Sequence, residues 1–265
     1  MHAEETLTTP EQHPIGLAFE TDEGFGARAR LGLVVLESDQ TVEPELNSVV
    51  VDGVAIYHAR IANDLQVTPE TLLAMKERLP AAAALLPNEF DFDVIGYGCT
   101  SASTFIGDAA VTAAIQSAHP GVLTTNPIAA ALAAFKALDV GSVGIVTPYS
   151  AVVTAPVVER FSAAGFGVSA VGSFLEESDL VVARISEQSV ANAARQLAAS
   201  ADCDAIFVSC TSVRAFGVVA ELEDDLGIPV VSSNLALFWH LLRLAGVNDR
   251  VPGLGRLYGH GLSAS

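Results

Sequence analysis

Two stretches of the chain, "DFDVIGYGCTS" at 91–101 and "DCDAIFVSCTS" at 202–212, agree at both aspartates, at one isoleucine and at the closing Cys-Thr-Ser. Their cysteines stand 111 residues apart in a chain that has only three. Other segments answer each other at similar offsets: "GLVVLES" (32–38) with "GIVTPYS" (144–150), and "VLTTN" (122–126) with "VVSSN" (230–234). A doubled unit constrains the fold more than any local signal. Whatever the first copy builds, the second builds too, under approximate two-fold symmetry.

The local pattern says what each copy is. "RLGLVVLES", "FDVIGYG", "GVLTT", "SVGIVTP", "FGVSAVGS", "DAIFVSC" and "IPVVSS" are short, β-branched, continuously apolar runs, as strands buried on both faces of a parallel sheet are. Helical stretches alternate with them. "VTPETLLAMKERLPAAAALL" opens with Thr68 as N-cap and Pro69 at the first helical position, and "NPIAAALAAFKAL" has Pro127 at its start. "TFIGDAAVTAAIQSA", "APVVERFSAAG", "SEQSVANAARQLAAS", "SVRAFGVVAELEDDLG" and "NLALFWHLLRLAG" read as further helices. This alternation means βαβ units. The expected fold is α/β: two pseudo-symmetric lobes, each a short parallel sheet flanked by helices, with the active site in the cleft between them. Residues 1–27 form a loose N-terminal extension. Residues 28–141 plus 236–265 form the first lobe with a returning C-terminal helix, and 142–235 form the second.

Composition narrows the partners. With 31 acidic and 13 basic residues the net charge is −18, a field that repels phosphate backbones and anionic membranes. No apolar run reaches the roughly 18–20 residues needed to span a bilayer. "MHAEETLTTPEQHP" lacks the basic start and apolar centre of a signal peptide. A cytoplasmic protein with reduced thiols is expected, acting on a small molecule and assembling as a homo-oligomer. No Cys-x-x-Cys or His-Glu-x-x-His spacing suggests a metal. The only lysines, Lys76 and Lys136, sit on apolar helices and make a poor Schiff-base site for pyridoxal phosphate, so no cofactor is expected. Of the six histidines, His58 beside "VAIYHARI" could line a cleft, though a surface or structural role suits it better.

Cys99 and Cys210 each end a strand, where ligands bind in open α/β sheets. Backbone N–H groups and a helix dipole there favour a thiolate, and Thr100, Ser101, Thr211 and Ser212 add hydroxyls. Two thiols facing one pocket from opposite lobes suit one chemistry: one takes a proton or adds to a double bond while the other supplies a proton. A lone strand-end cysteine is more often a small buried hydrophobe, and Cys203 fits that description. The doubled polar setting sets Cys99 and Cys210 apart.

At these residues the chain resembles the aspartate/glutamate racemase superfamily, in the branch of maleate cis-trans isomerases and arylmalonate decarboxylases. The likeness runs from about residue 30 to 256 and rests on "GYGCTSAS", "VTPYS", "VSCTS", "LGIPVVSSN" and "ALFWHLLRLAG". It implies that Cys99 and Cys210 are catalytic, and that Thr100, Ser101, Tyr149 and the backbone at Cys210 and Thr211 hold a substrate carboxylate. In the decarboxylase branch the first cysteine is a glycine, so two cysteines imply racemisation or isomerisation. Maleate isomerases carry carboxylate-binding asparagines where this chain has Asp39, in "ESDQTVE", and Asp179, in "EESDLVVARI". Two carboxylates repel a dianion and suit a substrate with an ammonium group. "DQTVE" and "GCTSAS" look most like the ectoine-utilisation members of the superfamily, which implies an amino-acid-like acid. The expectation is therefore a cofactor-independent two-cysteine isomerase, racemase-type. A maleate cis-trans isomerase is the alternative, with an arylmalonate-type decarboxylase or a non-catalytic small-acid binder behind it.

Overall fold

The repeat folds into two four-stranded parallel sheets with the same strand order. The structure, a computed structural model, describes residues 14–263. Strands β1 (Ala29–Leu36), β2 (Val54–Ile61), β3 (Val94–Gly98) and β4 (Leu123–Thr125) pair in the order β2-β1-β3-β4. Strands β5 (Ser142–Thr147), β6 (Gly167–Ser173), β7 (Ala205–Val208) and β8 (Val230–Ser232) pair in the order β6-β5-β7-β8. All of β3 and β7 is buried, which their unbroken apolar sequences require.

Five helices cover the first sheet: α1 (Val42–Asn47), α2 (Pro69–Ala83), α3 (Thr100–Ile106), α4 (Asp108–Gln116) and α5 (Pro127–Ala137). The second carries α6 (Ala151–Ala163), α7 (Asp179–Val182), α8 (Glu187–Ser200) and α9 (Phe216–Leu226). The last helix, α10 (Ser233–Leu244), packs against α5 and β3. Gly96 makes that approach possible, because a Cβ there would lie 3.0 Å from Leu33 and 3.4 Å from Leu241 of α10. Among the described residues no helix is long and apolar enough to cross a membrane.

Caps sit where the sequence puts them. The Thr68 hydroxyl accepts the Thr71 N–H, the Thr71 hydroxyl accepts the Thr68 N–H, and Pro69 opens α2. The expected helix over "TFIGDAAVTAAIQSA" is two, broken at Gly107, whose φ of +84° no helix accommodates. The helix expected from "APVVERF" begins five residues before its proline, at Ala151, so Pro156 lies inside α6. The short helices α1 and α7 carry too little periodicity to be read from sequence.

The lobes share one core. Phe135 of α5 packs edge-on against Phe207 of β7 with ring centroids 6.1 Å apart, and Phe161 of α6 completes the cluster. Arg160 of α6 pairs with Asp108 of α4, which also accepts a hydrogen bond from Asn126 at 2.9 Å. Such a seam ties the two lobes together.

Candidate active site

Both Cys-Thr-Ser segments converge on one small, partly open cavity of about 20 Å³ between the lobes. Cys99, Thr100, Ser101, Tyr149, Asp179, Cys210 and Thr211, predicted from sequence, all line it, and the unpredicted Met75 and Asn63 join them. Asp39 does not. Its side chain lies behind the wall, where Oδ1 accepts the N–H groups of Thr41 and Val42 and so caps α1, while Oδ2 is buried without a partner. His58 lies within β2, partly buried and away from the cavity, and Cys203 is buried beside Gly144 beneath β5.

The two thiols are presented differently. Cys99 is extended (φ −144°) and serves as N-cap residue of α3, with its sulfur 3.8 Å from the Ser101 hydroxyl. Cys210 has φ +105°, a conformation that costs a non-glycine residue about 1–3 kcal/mol. The surroundings hold it there. Its N–H donates to Ser233 Oγ at 3.0 Å, and the same oxygen accepts the Thr100 hydroxyl at 2.8 Å. The Thr211 hydroxyl donates to Gly98 O (3.2 Å), its carbonyl accepts from Asn234 (2.9 Å), and Thr41 donates to Ser212 O (2.9 Å). Every one of these bonds reaches across to Thr41, β3 or α10. The Cys210 N–H is therefore committed to Ser233, contrary to the expectation that it holds a carboxylate. The Thr100 and Thr211 hydroxyl protons are likewise engaged within the protein.

Tyr149 and Asp179 also border the cavity. Tyr149 is fully buried beside Cys210 and Ser101, yet its hydroxyl makes no hydrogen bond of ordinary geometry. Asp179 is held between lobes, accepting from the Ser212 hydroxyl (2.7 Å) on one oxygen and the Ser38 hydroxyl (2.5 Å) on the other. Among the described residues no basic side chain lines the cavity.

That charge balance sets the thiols. Burial pushes Cys99 up to about 11, against the lowering effect of the Ala102 N–H and the Ser101 hydroxyl, with Asp179 and Asp39 adding to the rise. Burial and the Asp179 charge push Cys210 up to about 12 despite Tyr149 and the Ser212 N–H. Sequence reasoning expected the helix dipole to favour a thiolate. Desolvation outweighs it and favours the neutral thiol at both positions.

The cover is a cross-lobe clasp. Val67 N–H donates to Glu177 O (2.9 Å), Asp179 N–H donates to Leu65 O (3.0 Å), and Gln66 forms an antiparallel bridge with Ser178. Gln66 and Val67 of this clasp also line the cavity, so the clasp borders the space a small acid would occupy.

Ser233 is the main residue that sequence reasoning missed. Its signal was present in "VVSSN", matched to "VLTTN" as a repeat but not as part of the site.

Comparison with known proteins places this geometry. The chain is 32% identical to arylmalonate decarboxylase of Bordetella bronchiseptica over 241 residues, covering 82% of this chain and 94% of the relative. It is 29% identical to maleate isomerase of Nocardia farcinica over 239 residues, covering 86% and 94%. A solved cysteine-to-serine variant of the Nocardia farcinica maleate cis-trans isomerase, carrying a covalently bound succinylcysteine intermediate, superposes with a TM-score of 0.78 at 29% identity, over 87% of this chain and 98% of the other. The family model described as arylmalonate decarboxylase matches residues 31–258, and the chain belongs to that family.

Proposed function

We propose that the chain is a cofactor-independent, racemase-type isomerase that exchanges the α-proton of a small, amino-acid-like carboxylic acid between Cys99 and Cys210. The observation that carries this reading is the cavity lining, which sets two buried thiols beside the Asp179 carboxylate and, among the described residues, offers no basic side chain. A dianion placed there meets like charge, whereas an ammonium group meets a counter-ion. That ammonium offsets the field that helps raise both thiols, easing ionisation of one of them. The Ser101 and Tyr149 hydroxyls face the substrate carboxylate and the enolate-like charge that develops from it. One thiolate takes the α-proton, the opposite thiol delivers its own to the other face, and no electrons are gained or lost. The likeness of "DQTVE" and "GCTSAS" to ectoine-utilisation members supports diaminobutyrate-type acids as first substrates, in a cytoplasmic route of ectoine breakdown.

The second reading, maleate cis-trans isomerisation, is favoured by the Nocardia farcinica relatives. Cys99 would add to the alkene and Cys210 would protonate, with bond rotation between. Incubation in deuterated water, followed by proton NMR and chiral chromatography, separates the readings. Deuterium entering the α-position of a diamino acid together with racemisation is the expected result. Conversion of maleate to fumarate with no α-exchange in any amino acid sinks it in favour of the second reading. Carbon dioxide release from an arylmalonate identifies a decarboxylase, and tight binding of an acid without turnover identifies a binding protein.

A further inference from the structure

We infer that Tyr97 is the donor that steadies the Cys99 thiolate: its hydroxyl proton turns from Met75 Sδ to Cys99 Sγ when that thiol gives up its own. Its purpose there rests on the two-thiol reaction proposed above, whereas the reactivity of Cys99 can be read without turnover. The end of β3 places the tyrosine. The chain closes a three-residue turn at Gly98, with the Cys99 N–H donating to Tyr97 O at 3.1 Å, and this draws Cys99 back over Tyr97. The Tyr97 side chain is fully buried, and its hydroxyl donates to Met75 Sδ at 3.4 Å. Met75 and Cys99 both line the cavity, so the phenol lies behind the wall, beside both sulfurs.

A buried hydroxyl resting on a thioether has a better use close by. The thioether is a weak acceptor, and a hydroxyl proton rotates about its C–O bond to suit its surroundings. A thiolate is the stronger acceptor, because a hydrogen bond to an ionised partner is roughly twice as strong as one between neutral groups. Burial and Cys99 itself hold the Tyr97 phenol well above its ordinary range. The phenol therefore donates without surrendering its proton.

The surroundings of Cys99 call for such a donor. The titratable groups around it are Asp39, Asp179, Tyr149, Cys210 and Tyr97. None of them is a cation. The Ser101 hydroxyl stands 3.8 Å from the sulfur, a long contact. Tyr149 serves the other thiol, where it opposes the rise of Cys210. Each sulfur thus has one buried phenol beside it, and the two phenols come from unrelated places. The repeat sets Val208 against Tyr97 and Glu37 against Tyr149, so duplication does not account for the pairing.

The test is alkylation of Cys99 by iodoacetamide in the full chain, over about pH 7–10, read peptide by peptide by mass spectrometry. Tyr97→Phe removes the oxygen alone and leaves behind a thioether that needs no donor, so the fold is kept. It is expected to slow Cys99 about 3- to 10-fold, the effect of one lost hydrogen bond, with Cys210 unchanged. Met75→Leu conserves volume and removes the competing acceptor, so it is expected to speed Cys99 instead. An unchanged Cys99 rate in Tyr97→Phe overturns the inference. An equal slowing of both cysteines overturns it too, since that is the mark of looser packing. So does a Met75→Leu variant that slows Cys99 as Tyr97→Phe does, because the contact with Met75 is then the one that matters. Where the parent turns over a chiral acid, Tyr97→Phe should lower kcat about 10-fold with KM unchanged. A parent with no turnover on any acid counts against the proposed reaction and leaves the labelling result standing.

Discussion

The two Cys-Thr-Ser segments are nearly identical in sequence and quite unlike in structure. The first runs straight from β3 into α3, so Cys99 sits at a regular strand-to-helix junction. The second leaves β7, turns at Cys210 with φ +105°, and wanders to Phe216 before α9 begins. The paired asparagines diverge in the same sense. Asn126 caps its own helix through the N–H groups of Ile128 and Ala129, whereas Asn234 reaches across to Glu45 and Thr211 O. One copy kept local caps, and the other spent the same residues on ties between lobes. Sequence duplication gave two equivalent places for sulfur; divergence made one place relaxed and the other held under strain.

The largest test of this comparison removes the sulfurs. Cys99→Ser and Cys210→Ser are each expected to lower turnover by at least about 10³-fold while leaving the far-UV circular dichroism unchanged. Turnover retained in either variant removes the need for a pair. Alkylation then sharpens the difference: with thiols pushed to about 11 and about 12, Cys99 should label ahead of Cys210 as the pH rises. Equal, slow labelling of both would erase the distinction.

Ser233→Ala probes chiefly the strained side, because Ser233 Oγ holds the Cys210 N–H and meets the other segment only through the Thr100 hydroxyl. It strands the Cys210 N–H and costs about 1–3 kcal/mol of stability. A fall in kcat of roughly 10- to 100-fold should accompany it, as for a displaced proton donor. Labelling of Cys99 should be unaffected, because no hydrogen bond joins its own backbone N–H to Ser233. If both cysteines respond alike, Ser233 supports the site as a whole and not Cys210 in particular.

The smallest effect concerns Asp39. Burial raises its carboxyl to about 6, against the opposing N–H bonds from Thr41 and Val42. A raised carboxyl favours the folded state when protonated. That contribution is fully present below the ordinary value near 3.9 and is lost as the pH climbs through about 6, up to about 3 kcal/mol in all. Asp39→Asn keeps the acceptor and sheds the charge. Its melting temperature should exceed that of the parent by on the order of 5 °C at pH 8 and match it near pH 4. A parent whose stability is flat between pH 4 and 7 speaks against a carboxylate buried at this cost.

Much of the architecture was legible because it depends on period and punctuation. Buried parallel strands need unbroken apolar runs, and Thr68, Pro69 and Asn126 mark helix starts by chemistry confined to a few neighbouring residues. What escaped depends on contacts distant in sequence. The helix α1 exists because Asp39 caps it inside the protein, and α7 begins at an aspartate held by serines from both lobes. The positions of Cys99, Cys210, Ser101, Tyr149 and Asp179 around one cavity followed from the repeat together with the family likeness. The protonation of the thiols did not, because a dipole can be read from sequence and desolvation cannot.

The clasp between residues 65–67 and 177–179 has a consequence for proton traffic. The cavity beneath it is small, so a guest bound there would leave little room for solvent to shuttle hydrogen ions. On the proposed reaction, a proton lifted from that guest would have few destinations other than the two sulfurs, and the occupied chamber would work as a two-terminal relay.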